Sequence, residues 1–277
     1  MSKGFKLLRV EYIFTVEIPL LVAIYLNGYA ILDHLMILAA FGFWAICGNT
    51  LNDFFDMDNP DDKETLERTD GYRKKEIAAI SVTAFLLGCM CFMNAVLTHP
   101  EIALYLIVIV ALVVLYCAAL KPLVVMNWIV LGISHIWLPY FIIKINAGDS
   151  LNGFPIVEPF EWFLLACAST MALAGNLFHE IIDGETITKY PLKTQQIIIW
   201  ATSIGALALG ALSLLLFPEQ TIYFAPFVLF PIECLFMART TDKIERKKGR
   251  TSLKDTGIIA GNLVFIFVII LVITQPI

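Results

Sequence analysis

Nine apolar blocks follow one another along this 277-residue chain, and that succession limits its fold more than any other feature. They run over about 12–32, 35–52, 77–97, 102–120, 123–143, 160–179, 196–217, 221–238 and 257–275, read from hydrophobic run length. Crossing the roughly 30 Å hydrocarbon core of a bilayer takes about 20 helical residues, and most of the blocks come close to that length. The residues are 59% hydrophobic and 16% charged, whereas a soluble domain is about half apolar and a quarter charged. A water-soluble bundle would therefore have too little polar surface to cover nine such helices. Period-2 alternation is missing, which argues against a membrane strand barrel. The expected fold class is an all-α membrane protein with nine transmembrane helices, formed as one domain over 1–277. The first block does not read as a cleaved leader. It follows Lys3, Lys6 and Arg9, but it carries Glu17 and Pro19 and has no small-residue cleavage site.

The loops set an orientation. With the N-terminus in the cytoplasm, 18 of the 19 basic residues fall on the cytoplasmic face, and only Lys144 lies on the other. The bias follows the positive-inside rule. It is strongest in the loop holding Lys63, Arg68, Arg73, Lys74 and Lys75, and in the run from Arg239 to Lys254. That second run reads as an anchor near anionic lipid. The net charge of −5 says little about partners. Nothing in the chain points to nucleic acid or to a protein partner. The six cysteines all lie in apolar runs without a C-x-x-C pair, as small apolar fillers do.

Against this background, "GNTLNDFFDMDNPDD" (48–62) stands out, because it crowds carboxylates at the cytoplasmic end of the second block. Asn49, Asp53 and Asp56 are spaced to share one helix face. The sixth block ends the same way, with Asn176, Glu180 and Asp183. The repeated spacing, four blocks apart at the same face, points to a duplicated four-helix unit around a central cavity. Both stripes sit at helix C-termini, where the macrodipole already disfavours negative charge. Acids gathered there call for a cation. Oxygen donors without a histidine–cysteine cluster select Mg²⁺, or Mn²⁺, over zinc. Mg²⁺ shares its shell with phosphate oxygens, so paired stripes would hold a diphosphate through bridging metal. Arg68 and Lys121, with Lys75 or Lys193, are the nearby cations, and Lys121 follows Tyr116 in a tight turn. A lipophilic tail fits this setting: it stays in the bilayer while its charged head reaches the rim.

These residues resemble the UbiA-type intramembrane prenyltransferases. "NDFFD" (52–56), "EIID" (180–183) and "YCAALK" (116–121) stand where that family carries its two aspartate motifs and its Tyr-x-x-x-x-Lys. "ERTDGYRKKE" (67–76) is similar to the family's arginine-bearing loop, with Arg68 at the arginine, and "PLKT" (191–194) resembles the basic residue and threonine after the second motif. The resemblance extends along the whole chain. It departs from the pattern where the last acids of the motifs fall on Pro60 and Ile187. Asp58 or Asp61 would stand in for the first of these.

The resemblance implies Mg²⁺-dependent transfer of an isoprenoid group from an allylic polyprenyl diphosphate to a lipophilic acceptor, such as a quinone precursor, a lipid or a carotenoid, through a carbocation-like transition state. It gives Asn52, Asp56, Glu180 and Asp183 catalytic roles. Metal binding falls to Asp53, Asp56, Asp61, Glu180 and Asp183. Diphosphate binding falls to Arg68, Lys121, Asn49, Asn176 and Tyr116. His179, Glu180 and Asp183 are candidate bases. Phe54, Phe55, Trp44, Tyr116 and Phe178 are candidate shields for the cation. Glu17, His135 and Glu233 are polar residues inside apolar blocks and carry no assigned role. Glu17 is near enough to the inner rim to snorkel. Two other readings compete: a terpene cyclase of the same architecture, and a transporter or non-catalytic homologue. Transporter sites lie near the midplane, whereas these acids lie at one rim.

Overall fold

A computed structural model describes residues 3–58, 63–120, 123–183, 186–228, 231–232, 234–235 and 245–275. Apart from one short hairpin, the described elements are helical. They divide into two compact units. One comprises Met1–Ala119, Leu138–Ile156 and Phe265–Ile277, and the other comprises Leu120–Trp137 and Val157–Val264.

The first unit opens with α1 (Lys3–Leu8), a 3₁₀ turn (Val10–Tyr12) and α2 (Phe14–Asn27). Arg9 joins α1 to the turn at φ 48°, a left-handed backbone that bends the chain at the end of α1. α2 has 14 residues, which span about 21 Å, less than a bilayer core. It does not face lipid: Val16, Glu17 and Pro19 to Ile24 are buried. A helix apolar all round is one that protein encloses. Enclosure explains how α2 can be short and can hold both a proline and a carboxyl group. It ends at Gly28, where φ +67° lets Tyr29 N–H reach back to the Ile24 carbonyl at 3.0 Å. That is a Schellman-type stop.

A 3₁₀ turn (Ile31–His34) leads into α3 (Leu35–Asp56); α4 (Lys63–Thr69), α5 (Lys74–Thr98) and α6 (Ile102–Leu115) follow. α3 and α5 pack over an aromatic seam. Trp44 stacks on Phe85 at 5.6 Å and meets Phe92 edge-on at 4.9 Å, and Phe41 meets Phe92 at 5.1 Å. Gly88 makes this seam possible, since a Cβ there would stand 2.2 Å from the Trp44 ring. α6 passes into a π turn (Tyr116–Leu120).

At its other end this unit is closed by α8 (Leu138–Asn146) and a hairpin, β1 (Ser150–Leu151) and β2 (Phe154–Pro155). Asn152 and Gly153 both take positive φ, as a two-residue hairpin turn requires. Lys144, expected just outside the fifth block, is 1% exposed. Its Nζ donates to Asn27 Oδ1 (2.8 Å) and pairs with Asp149 (2.9 Å), which also accepts from Tyr29 Oη (2.8 Å). The network explains how a lysine is tolerated at this depth: its charge is paired and hydrogen-bonded.

In the second unit, α7 (Val124–Leu131) runs into another π turn (Gly132–Trp137). α9 (Pro159–Asp183), a 3₁₀ turn (Thr186–Lys189), α10 (Leu192–Leu216), α11 (Pro218–Thr221), a 3₁₀ segment (Ile222–Val228) and α12 (Glu245–Thr274) complete the order. The last turns of α12 belong to the first unit.

Among the described residues, seven helices are long and apolar enough to cross a membrane. The chain is a multi-pass integral membrane protein. The count differs from the nine expected blocks at two places. The first block yields the short, enclosed α2. The eighth begins as a 3₁₀ segment carrying Pro226, and much of it lies outside the described residues. α12 also starts within the basic run that the sequence leaves as a loop.

Candidate functional site

The C-terminal end of α3 gathers five of the expected site residues: Asn49, Asn52, Asp53, Asp56 and Arg68. Asn52 Nδ2 donates to Asp56 Oδ2 at 2.8 Å, a contact between successive turns that orients the carboxylate. Asp53 is fully buried (0% exposed), yet it is not alone. Arg68, on α4, grips it with two parallel bonds, Nη2 to Oδ1 at 2.7 Å and Nε to Oδ2 at 2.9 Å. This is the fork-on-carboxylate geometry that makes arginine–carboxylate pairs strong and directional. Arg68 Nη2 also reaches Thr65 Oγ1 at 3.0 Å, and Thr69 Oγ1 donates to the Thr65 carbonyl at 2.7 Å. Thr65 and Thr69 are buried, so α4 is pinned against the end of α3 through polar side chains.

Around this centre the packing is ionic and aromatic. Lys74 pairs with Asp58 and sits 4.8 Å above the Phe54 ring. Phe54 and Phe55 meet edge to face at 5.5 Å. Arg73 N–H donates to Glu76 Oε2 at 2.9 Å, half of a capping box that starts α5. Asn49 Nδ2 reaches the Arg9 carbonyl at 3.4 Å, and the Arg9 guanidinium lies 4.6 Å from the Tyr12 ring centre. The left-handed Arg9 thus turns its carbonyl onto the asparagine that heads the stripe.

In the second unit, α9 continues as helix through Glu180 to Asp183, which keeps positions 176, 180 and 183 in helical register. The side chains of Phe178 through Asp183, including His179, lie outside the described residues. So do Lys121, Pro60 and Asp61. Asn176 is half-buried and has partners, and Tyr116 begins the π turn that closes α6. Ile187, where the second motif would place its last acid, is fully buried core. Among the described residues, no three His, Cys, Asp or Glu side chains come together as a ready metal site.

The two stripes share a feature that spacing alone did not reveal. Seven residues before Asn49 stands Gly42, which faces Glu17 of α2: a Cβ on Gly42 would lie 3.6 Å from Glu17 Oε1. Seven residues before Asn176 stands Ser169. It accepts from Trp137 Nε1 at 2.7 Å, and a Cβ on Gly132 would lie 3.4 Å from it. In each unit an earlier helical segment crosses the stripe two turns before its asparagine, with a glycine on one side of the crossing. Glu17, expected to snorkel, is buried instead. His135, in the π turn, bonds through Nδ1 to Ser134 Oγ at 2.8 Å. Ser134 also donates to the Val130 carbonyl at 2.6 Å.

No protein-family model matches the sequence, and no curated protein matches it. Solved structures do. A UbiA homolog from Archaeoglobus fulgidus bound to DMAPP and Mg²⁺ superposes with a TM-score of 0.68 at 16% identity, over 99% of this chain and 100% of that one. The same homolog bound to GPP and Mg²⁺ gives 0.65 at 16% identity, over 95% and 99%. A digeranylgeranylglyceryl phosphate synthase gives 0.59 at 17% identity, over 99% and 100%. The fold is that of the UbiA homologues.

Proposed function

We propose that this chain is an integral membrane prenyltransferase, moving an isoprenoid group from an allylic polyprenyl diphosphate to a lipophilic acceptor, with Mg²⁺ as cofactor. The observation that carries the reading is the end of α3. There Asn52 clamps Asp56, and Arg68 is fixed on a buried carboxylate beside them. The surrounding fold is one whose solved examples include complexes with DMAPP and Mg²⁺ and with GPP and Mg²⁺. The donor set is oxygen, as a hard cation requires. It stands at a helix end whose dipole gives acids no support.

Asp56, Asp61, Glu180 and Asp183 would hold the metal, and Asp53 would join them only on leaving Arg68. Arg68, Lys121, Asn49, Asn176 and Tyr116 would hold the diphosphate. Bound Mg²⁺ neutralises charge on the departing diphosphate. The protein's own part is to orient. Asp53 keeps Arg68 at a fixed angle, Asn52 aims Asp56, and Phe54 and Phe55 wall the rim with apolar rings. The basic loops support a cytoplasmic position for this end and for the N-terminus. The matching crossings at Gly42 and Ser169 support two duplicated four-helix units.

The test uses purified full-length protein in nanodiscs with Mg²⁺ and allylic diphosphates of several chain lengths. Diphosphate release and a prenylated product are expected. Asp56→Ala and Asp183→Ala should each lower turnover by about 100-fold or more, the scale of losing one electrostatic stabiliser. Absence of diphosphate release with every donor, or unchanged turnover in both variants, overturns the reading.

A further inference from the structure

The hairpin that closes the first unit turns an apolar face outward. β1 and β2 pair Leu151 with Phe154 and Ser150 with Pro155. Directly opposed residues of a hairpin point to the same side, and successive pairs point to opposite sides. Ser150 and Pro155 are half-buried, so their side is turned to the protein. Leu151 and Phe154 share the other side and are 67% and 72% exposed; Ile156, just beyond them, is 47% exposed. Large apolar side chains grouped on a surface mark a contact with a membrane or another protein.

The hairpin is held at a definite depth, and that depth decides between the two. Tyr105 Oη donates to the Gly153 carbonyl at 2.9 Å, and a Cβ on Gly153 would lie 3.3 Å from Glu101 Cβ. The turn therefore stands level with the start of α6. The apolar stretch that begins there, Ile102–Leu120, has 19 residues. They span about 28 Å, against a hydrocarbon core of roughly 30 Å. Such a span has no length to spare, so Ile102 stands at the hydrocarbon edge. Tyr105, one turn inside, occupies the level where interfacial tyrosines collect. Leu97, at the end of α5, and Leu104 are 76% and 64% exposed at the same rim. The apolar face of the hairpin is thus continuous in depth with the lipid-facing side of α5 and α6. At the base of the hairpin, Ile156 N–H donates to the Asp149 carbonyl at 3.0 Å, and the Asp149 carboxylate holds Lys144 and Tyr29. The loop cannot swing clear of the rim without breaking that network.

We infer that the hairpin is an interfacial anchor, and that its partner is the phospholipid leaflet at the end of the first unit away from Asp56. Leu151 and Phe154 enter the boundary between headgroups and acyl chains, as the apolar face of an interfacial element does. Removing one such side chain from water favours the inserted state by about tenfold or more. The bilayer then holds in place the loop that carries Asp149, and with it the partner of Lys144. This surface takes no part in prenyl transfer, and the inference stands apart from that reading.

The experiment uses full-length protein in phosphatidylcholine nanodiscs. Hydroxyl-radical footprinting of the unaltered protein should oxidise Phe154 about tenfold more slowly than in a free peptide of residues 148–158, matching its transfer out of water. With p-benzoylphenylalanine in place of Phe154, illumination should yield protein heavier by one phospholipid. In the double variant Leu151→Ser with Phe154→Ser, hydrogen exchange at the Ile156 amide should quicken by about tenfold or more, while the amides of α5 and α6 keep their rates. Oxidation of Phe154 at the free peptide's rate overturns the inference. So do cross-links that join two copies of the chain in place of lipid, which would make the face a protein interface. Unchanged exchange at Ile156 in the double variant overturns it as well.

Discussion

Asp53 and Arg68 form the most consequential pair of side chains at the rim. The sequence assigned one to metal and the other to diphosphate; the structure bonds them to each other. At 0% and 10% side-chain exposure, the pair is shielded from water, and removing one partner strands the other. Such a loss typically costs about 3–5 kcal/mol. Asp53→Asn and Arg68→Gln should therefore each lower the thermal unfolding midpoint by many degrees, with or without Mg²⁺. Asp56→Asn should leave the midpoint nearly unchanged and act on turnover. Equal melting of all three variants would contradict this division of roles. Spacing could show that positions 49, 53 and 56 share a face. It could not show which acid of the stripe an arginine fifteen residues away would claim, because that depends on how α4 folds back.

Between α3 and α5, the Trp44 ring is fixed by Phe85 on one side and Phe92 on the other. It has no room to yield to a side chain at Gly88. Gly88→Ala should destabilise the pair by about 1–3 kcal/mol, the usual cost of overpacking a filled core. Melting of the purified variant, followed by tryptophan fluorescence, checks it; an unchanged midpoint would mean that the ring can move. The sequence marks Trp44 only as a candidate cation shield, and Gly88 not at all, since each is one more apolar or small position in a long block. The long helices were legible from their hydropathy, because length and apolarity are local properties. The fate of the first block was not. Pro19 and Glu17 were visible in it, but enclosure by neighbouring helices is a long-range fact. The hairpin was signalled by Asn152–Gly153, a dipeptide that favours a two-residue turn, yet the segment's neutral composition gave that signal no context.

At the scale of the whole chain, the basic residues predict a direction across the membrane. An epitope inserted at Asn152 should bind antibody on intact cells, and one inserted after Gly71 only after permeabilisation. The opposite result would turn the candidate site to the outer face. Seven of the nine blocks appear among the described residues as helices long enough to span, and the solved UbiA homologues share the fold over nearly the whole chain. One feature of these helices bears on how the chain tolerates change. A π turn amounts to an α-helix carrying one surplus residue, and the chain has such turns at Tyr116–Leu120 and Gly132–Trp137. Removing a residue elsewhere in a membrane helix swings every later side chain by about 100° and ruins the face that packs. Removing one from a π turn leaves an ordinary helix with its downstream face still in register. Of the two, Gly132–Trp137 runs straight into α8 and is where the length of a spanning segment is negotiable, so natural single-residue deletions should collect there and not at Tyr116–Leu120, whose spacing to Lys121 the proposed site uses.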